Sequence, residues 1–118
     1  MPLLIIGFAV ILLLAGVYHF VNPAFYRPFM PDWFPKQLAN AAGGLVEILI
    51  GIGLLIPDLR GYALWAACGL MIIFLPLHVI DLFRAKPVIG PHWVAAIRLL
   101  VQLLLIWWLW REATNFVD

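Results

Sequence analysis

Four stretches of this chain run without Asp, Glu, Lys or Arg, or with only one of them, for long enough to cross a lipid bilayer. Met1 to Tyr26 carries no charge, Gln37 to Pro57 only Glu47, Gly61 to Ile80 none, and Pro87 to Trp110 only Arg98. A hydrocarbon core about 30 Å thick needs about 20 apolar residues as helix, which predicts spans at roughly 3–21, 38–56, 61–80 and 93–110. Outer-membrane strands would alternate over short segments, and these runs are continuously apolar. In lipid, every backbone polar group must then be satisfied within its own segment, which favours helix. The expected fold is all-α, a single-domain bundle of four transmembrane helices over residues 1–118.

Composition agrees with lipid as the solvent. Of the 118 residues 66% are hydrophobic and 11% charged, so seven Lys/Arg and six Asp/Glu cannot wet the surface of a soluble globule. A net charge of +1 gives no nucleic-acid footprint, and a single Cys excludes an intramolecular disulfide or a dithiol redox pair within one chain. The N-terminal run lacks a basic flank and a clear cleavage site, so it reads as a retained first span.

The connections divide into one tight and two long ones. Pro57-Asp58-Leu59-Arg60-Gly61 forces spans two and three into an antiparallel hairpin. Asn22 to Gln37 interleaves Pro23, Pro28, Pro31 and Pro35 with Phe25, Tyr26, Phe29, Trp33 and Phe34. Those prolines prevent one continuous helix. The segment is expected along the membrane surface, either as an interfacial anchor or as a lid of Phe29, Trp33 and Phe34 over the bundle mouth. Trp107, Trp108 and Trp110, with Tyr62 and Trp65, mark the opposite interface. Arg27, Lys36, Arg84 and Lys86 lie on the long-connection side, against Arg60 and Arg111 opposite. The positive-inside rule then puts the long connections in the cytoplasm and both termini outside.

Polar residues within spans are expensive and usually face the bundle interior. At about 1.5 Å per residue from the long-connection side, Glu47 lies about 13 Å deep, Arg98 about 8 Å and Gln102 about 14 Å. His19, His78 and Asp81 fall near the same rim, so six polar residues from four helices share one half of the membrane. Asn40, Gly44, Glu47 and Gly51 form one stripe of the second span, and Arg98 with Gln102 a stripe of the fourth. Glu47 and Arg98 are expected to pair, since a guanidinium holds a carboxylate bidentately. Such a pair either fixes helix register or, with His19, His78 and Gln102, lines a ligand-binding pocket for a quinone ring or lipid headgroup. His78 and Asp81, three residues apart, are a candidate imidazole–carboxylate pair at the rim, and Pro76 is expected to kink the third span near them. No histidine pair has metal-motif spacing, so no metal site is expected. Cys68 reads as a packing residue.

These residues resemble the DoxX-like small membrane proteins over nearly the whole chain. The resemblance is carried by Gly16-Val17-Tyr18-His19-Phe20 followed by Pro23, by Met30-Pro31-Asp32-Trp33-Phe34-Pro35, and by Gly43-Gly44-Leu45-Val46-Glu47 running through Gly51 and Gly53 to Pro57 and Arg60. Phe74-Leu75-Pro76-Leu77-His78, and Arg98 with Gln102 before Trp107, complete it. It implies a four-helix membrane bundle, with a bacterial plasma membrane as its expected location. Members are associated with quinone-linked thiosulfate oxidation, with oxidative-stress complexes and, in animal relatives, with receptor assembly. The family often has two prolines before the Trp, where Asp32 here adds a charge to the lid.

Three function classes stay open. The first is a redox-associated subunit binding quinone or a lipid headgroup, with quinone as the candidate cofactor and a membrane-protein partner or a second copy of the chain as candidate partners. The second is a non-enzymatic assembly factor. The third is a small proton-coupled transporter, although small multidrug exporters carry their key Glu in the first span, which is uncharged here.

Overall fold

The computed structural model describes residues 3–116. Four long helices form the molecule: α1 (Leu3–Val21), α3 (Lys36–Leu55), α4 (Arg60–Phe83) and α5 (His92–Asn115), with a short helix α2 (Pro23–Tyr26) after α1. All four long helices are apolar enough to cross a membrane. The molecule measures 45 × 27 × 20 Å, and its long axis exceeds the roughly 30 Å of a hydrocarbon core. The architecture is an all-α four-helix bundle.

Helix limits follow the sequence pattern at most ends and overrun it at two. The third span is helical to Phe83 rather than residue 80, and the fourth to Asn115 rather than 110. Apolar runs report the hydrocarbon thickness, whereas a helix continues into the headgroup zone until something breaks it. Asp81 extends α4 because its carboxylate is buried and bonded, and Arg84 then leaves the helix in an extended conformation. Between α3 and α4 a 3-10 turn starts at Pro57, and Arg60 Nε donates to the Leu54 carbonyl at 2.7 Å, which caps the end of α3.

The bundle consists of two helix pairs, α1 with α3 and α4 with α5, joined where α3 meets α4. Lipid tails are as apolar as Leu, so helix association depends on close fit and on hydrogen bonds. Glycines supply the fit between α1 and α3. A Cβ on Gly16 would come within 2.7 Å of Ile48 Cγ1, and one on Gly44 within 2.7 Å of His19 Cβ. At the tight-turn end, a Cβ on Gly53 would stand 3.1 Å from Ala63 Cβ, so α3 and α4 touch closely there. Leu54, Leu64, Ala67 and Leu109 are fully enclosed in the core at this end. Trp108 packs edge-on against Phe8 with ring centroids 5.9 Å apart and is partly buried against the core.

Candidate functional site

The ends of α1 and α4 and the starts of α3 and α5 share one side of the bundle, and the expected polar residues divide there into two separate clusters. The first joins α1 to α3. His19 sits in the last turn of α1, buried like Asn40 and Glu47 on the facing stripe of α3. Asn40 Nδ2 donates to the His19 carbonyl at 2.8 Å, so its Oδ1, 2.8 Å from His19 Nδ1, accepts the ring N–H. That reciprocity fixes the tautomer. The other ring nitrogen, Nε2, lies 2.7 Å from Glu47 Oε1, and two lone pairs cannot share that distance without a proton between them. The pair therefore holds one proton, on the ring or on the carboxyl.

Tyr26 covers this cluster from the connection. Its ring stacks on His19 at 3.6 Å with a 10° interplanar angle, and its hydroxyl donates to the Ala15 carbonyl at 3.0 Å. Burial, with the nearby charges of Glu47 and Tyr18, pushes the Tyr26 phenol up to about 12. It stays a proton-bearing donor throughout the neutral range.

The second cluster is built on Asp81. Its carboxylate is 1% exposed and accepts from Arg98 Nη1 at 3.1 Å, from Arg84 Nη1 at 3.5 Å and from the Val88 amide at 2.9 Å. Arg84 also donates to the Pro28 carbonyl, and His92 Nε2 donates to the Arg84 carbonyl at 2.7 Å. Asp81 thus ties the two long connections together. Arg98 lies over the Phe29 ring, 4.9 Å from its centroid, which pins the aromatic segment from below.

The expected Glu47–Arg98 pair does not form: Glu47 is paired with His19 and Arg98 with Asp81. Depth along a helix gives height and not direction around the axis. The Gly16–Gly44 approach brings α1 rather than α5 onto the Glu47 stripe. The expected His78–Asp81 pair is likewise replaced by the arginine contacts of Asp81. Gln102 does not reach the pocket. Its Nε2 donates to the Met71 carbonyl at 2.8 Å and lies 3.5 Å from Met71 Sδ, bonding α5 to α4. Gln102→Met is accordingly expected to lower unfolding stability in detergent by about 0.6–1.7 kcal/mol, the range for such interhelical bonds, while leaving ligand binding intact. Loss of binding in that variant would return Gln102 to the site.

Between the clusters lies a cavity of about 780 Å³. His19, Glu47, His78 and Arg98 reach it from four helices, and the rest of its wall is mostly apolar. Phe29, Trp33 and Phe34 line it from the connection, beside the buried Met30. Among the described residues, His78 takes part in no hydrogen bond, and no group of His, Cys, Asp or Glu is arranged to hold a metal ion. Cys68 is buried, and its Sγ lies 3.7 Å from the Ile106 carbonyl as a weak contact between α4 and α5. Asn40, Asp81 and Tyr26 are the members of the site that sequence reasoning did not assign to it. Asn40 lay on the Glu47 stripe and Asp81 at the rim, so both positions were visible without their partners.

Fold and site together define a small helical protein fit for a membrane, with a mostly apolar cavity carrying a few polar groups in one half of the bundle. The chain belongs to the family described as a domain of unknown function (DUF8561), which it matches over residues 8–113. No curated protein and no solved structure matches it.

Proposed function

We propose that the protein is a DoxX-like integral membrane subunit that binds the oxygen-bearing head of a quinone or lipid within the bundle, in association with redox proteins. The observation that carries this reading is the chemistry of the cavity wall. An apolar chamber with a few convergent polar groups is the usual form of a small-molecule site. Here those groups are of two kinds. Arg98 and His78 offer N–H donors to a carbonyl or phosphoryl oxygen. Glu47, with its proton shared with His19, accepts from or donates to a hydroxyl or carbonyl. The aromatic residues Phe25, Phe29 and Phe34 suit a flat ring. His19, Glu47 and Arg98, which are among the motif positions of the DoxX-like resemblance, all face the cavity. A bacterial plasma membrane, with the long connections and their basic residues in the cytoplasm, fits the charge distribution.

The test uses purified protein in mild detergent and a decyl-tailed benzoquinone. At a ligand concentration about 100 times Kd, binding to the native state adds about 2.7 kcal/mol, so Tm should rise by several degrees. Glu47→Gln retains a hydrogen-bonding partner for His19 but lacks the exchangeable proton, and the rise should vanish. Neither the benzoquinone nor phosphatidylglycerol shifting Tm would refute the reading, as would an equal rise in Glu47→Gln.

A further inference from the structure

Resting on that reading, we infer that the ligand enters the cavity sideways from the hydrocarbon, through a gap between α3 and α4, and keeps its tail in that gap. The occupant is a molecule with an oxygen-bearing head on a long hydrocarbon chain.

The geometry has three parts. First, α3 and α4 are in close contact at Gly53 and Ala63 beside the tight turn, whereas toward the other end the cavity lies between them. Second, the cavity wall on each of these two helices includes residues that also face outward. On α3 the wall includes Ala39, Ala42, Gly43 and Val46 beside the buried Glu47, and on α4 it includes Ile73 and Ile80. Ala42, Val46, Ile73 and Ile80 are exposed although they line the cavity, with Ile73 70% exposed. Residues that belong to both surfaces mark the mouth. Third, the mouth opens at membrane depth, because Val46 lies ten residues from the start of α3 and Ile73 ten from the end of α4, about 15 Å along each helix.

The connection covers the cavity from the aqueous side. Phe29 and Phe34 line the cavity from the connection, Met30 is buried, Arg98 holds the Phe29 ring and Arg84 holds the Pro28 carbonyl, while Trp33 lines the cavity with 80% of its surface exposed. An apolar side mouth beneath an aromatic cover favours a molecule already dissolved in the bilayer. The head then meets Glu47 and Arg98, and each buried methylene of the tail adds to affinity. Quinones and phospholipids share this plan, and the experiment separates them.

Binding is measured in phosphatidylcholine nanodiscs for the decyl-tailed benzoquinone and for its tail-less parent. The native protein should bind the tailed molecule at least about tenfold more tightly, beyond what partitioning into an empty nanodisc explains. Val46→Trp and Ile73→Trp place bulk at the exposed mouth and should weaken or slow binding of the tailed molecule about tenfold, leaving the tail-less one unchanged. Leu104→Trp on the exposed face of α5 should change neither. Displacement by phosphatidylglycerol that the mouth variants also weaken would support the same gap with a phospholipid as occupant. Equal affinity for tailed and tail-less probes would overturn the side mouth while leaving the headgroup site standing. Failure of all three probes to bind the native protein would overturn both. The tail comparison needs no variant, so a misfolded Trp substitution does not decide the matter.

Discussion

Asp81→Ala is expected to lower unfolding stability by about 3 kcal/mol, the lower end of the range for breaking a buried ion pair by removing one partner. The carboxylate is fully enclosed and receives three donors, from Arg98, Arg84 and the Val88 amide. Alanine would leave two guanidinium groups facing each other without an anion between them. Both arginine side chains keep 25% of their surface, and partial hydration places the loss at the lower end of that range. The second effect is local. Without Asp81, Arg84 loses the partner that holds it at the Pro28 carbonyl, so both long connections should become more open to trypsin, at Lys36 and Arg84, which are not followed by proline. Asp81→Asn keeps an acceptor for Val88 but turns an N–H donor toward one arginine, so a smaller loss of about 1–3 kcal/mol follows. Thermal unfolding followed by circular dichroism, with timed proteolysis, measures both. Native-like stability and proteolysis in Asp81→Ala would show that the three donors contribute nothing to holding the connections.

Adjacent glycines should respond in opposite directions. A Cβ on Gly44 would lie 2.7 Å from His19 Cβ, 2.8 Å from Phe20 Cε2 and 3.0 Å from the Gly16 carbonyl oxygen. The Gly16 oxygen is backbone and cannot swing aside, so α1 must retreat from α3. Gly44→Val is expected to destabilise by about 1–3 kcal/mol, as overpacked interiors do, and to draw His19 out of reach of Glu47 and Asn40. Ligand-dependent stabilisation should disappear with it. A Cβ on Gly43 meets only His19 Cε1, at 3.5 Å, which is ordinary contact. Gly43→Ala should therefore hold or raise stability, by up to the roughly 0.8–1 kcal/mol that separates Gly from Ala inside a helix. Similar stabilities for the two variants would mean that α1 and α3 are not held by close backbone approach.

The sequence made the fold legible because hydrocarbon imposes its thickness on the chain. Runs with at most one charge gave all four long helices, and their ends differed by more than two residues only where Asp81 and the last turn of α5 carry helix beyond the apolar run. It also showed that His19, Glu47, His78 and Arg98 lie toward one end, since counting residues gives depth. Partners were illegible because they depend on rotation about each helix axis and on which helices touch. Glu47 was matched by depth to Arg98, whereas the Gly16–Gly44 approach delivers His19 to it. The pertinent signal was present in those two small residues, one on each helix. Gln102 was drawn into the pocket because its depth matched Glu47, although its amide is turned toward the Met71 carbonyl on α4. Tyr26 was seen only as one aromatic among many, because stacking on His19 depends on how the proline-rich connection folds back.

Asn40 has an electrical consequence. By fixing the Nδ1 proton of His19 it leaves one mobile proton between Nε2 and Oε1, and the charges of ring and carboxyl sum to zero whichever atom holds it. A transmembrane voltage acts on charge moved through the field, and this hop crosses only a small fraction of the bilayer. A proton that moves within the dyad is therefore nearly indifferent to whether the membrane is energised.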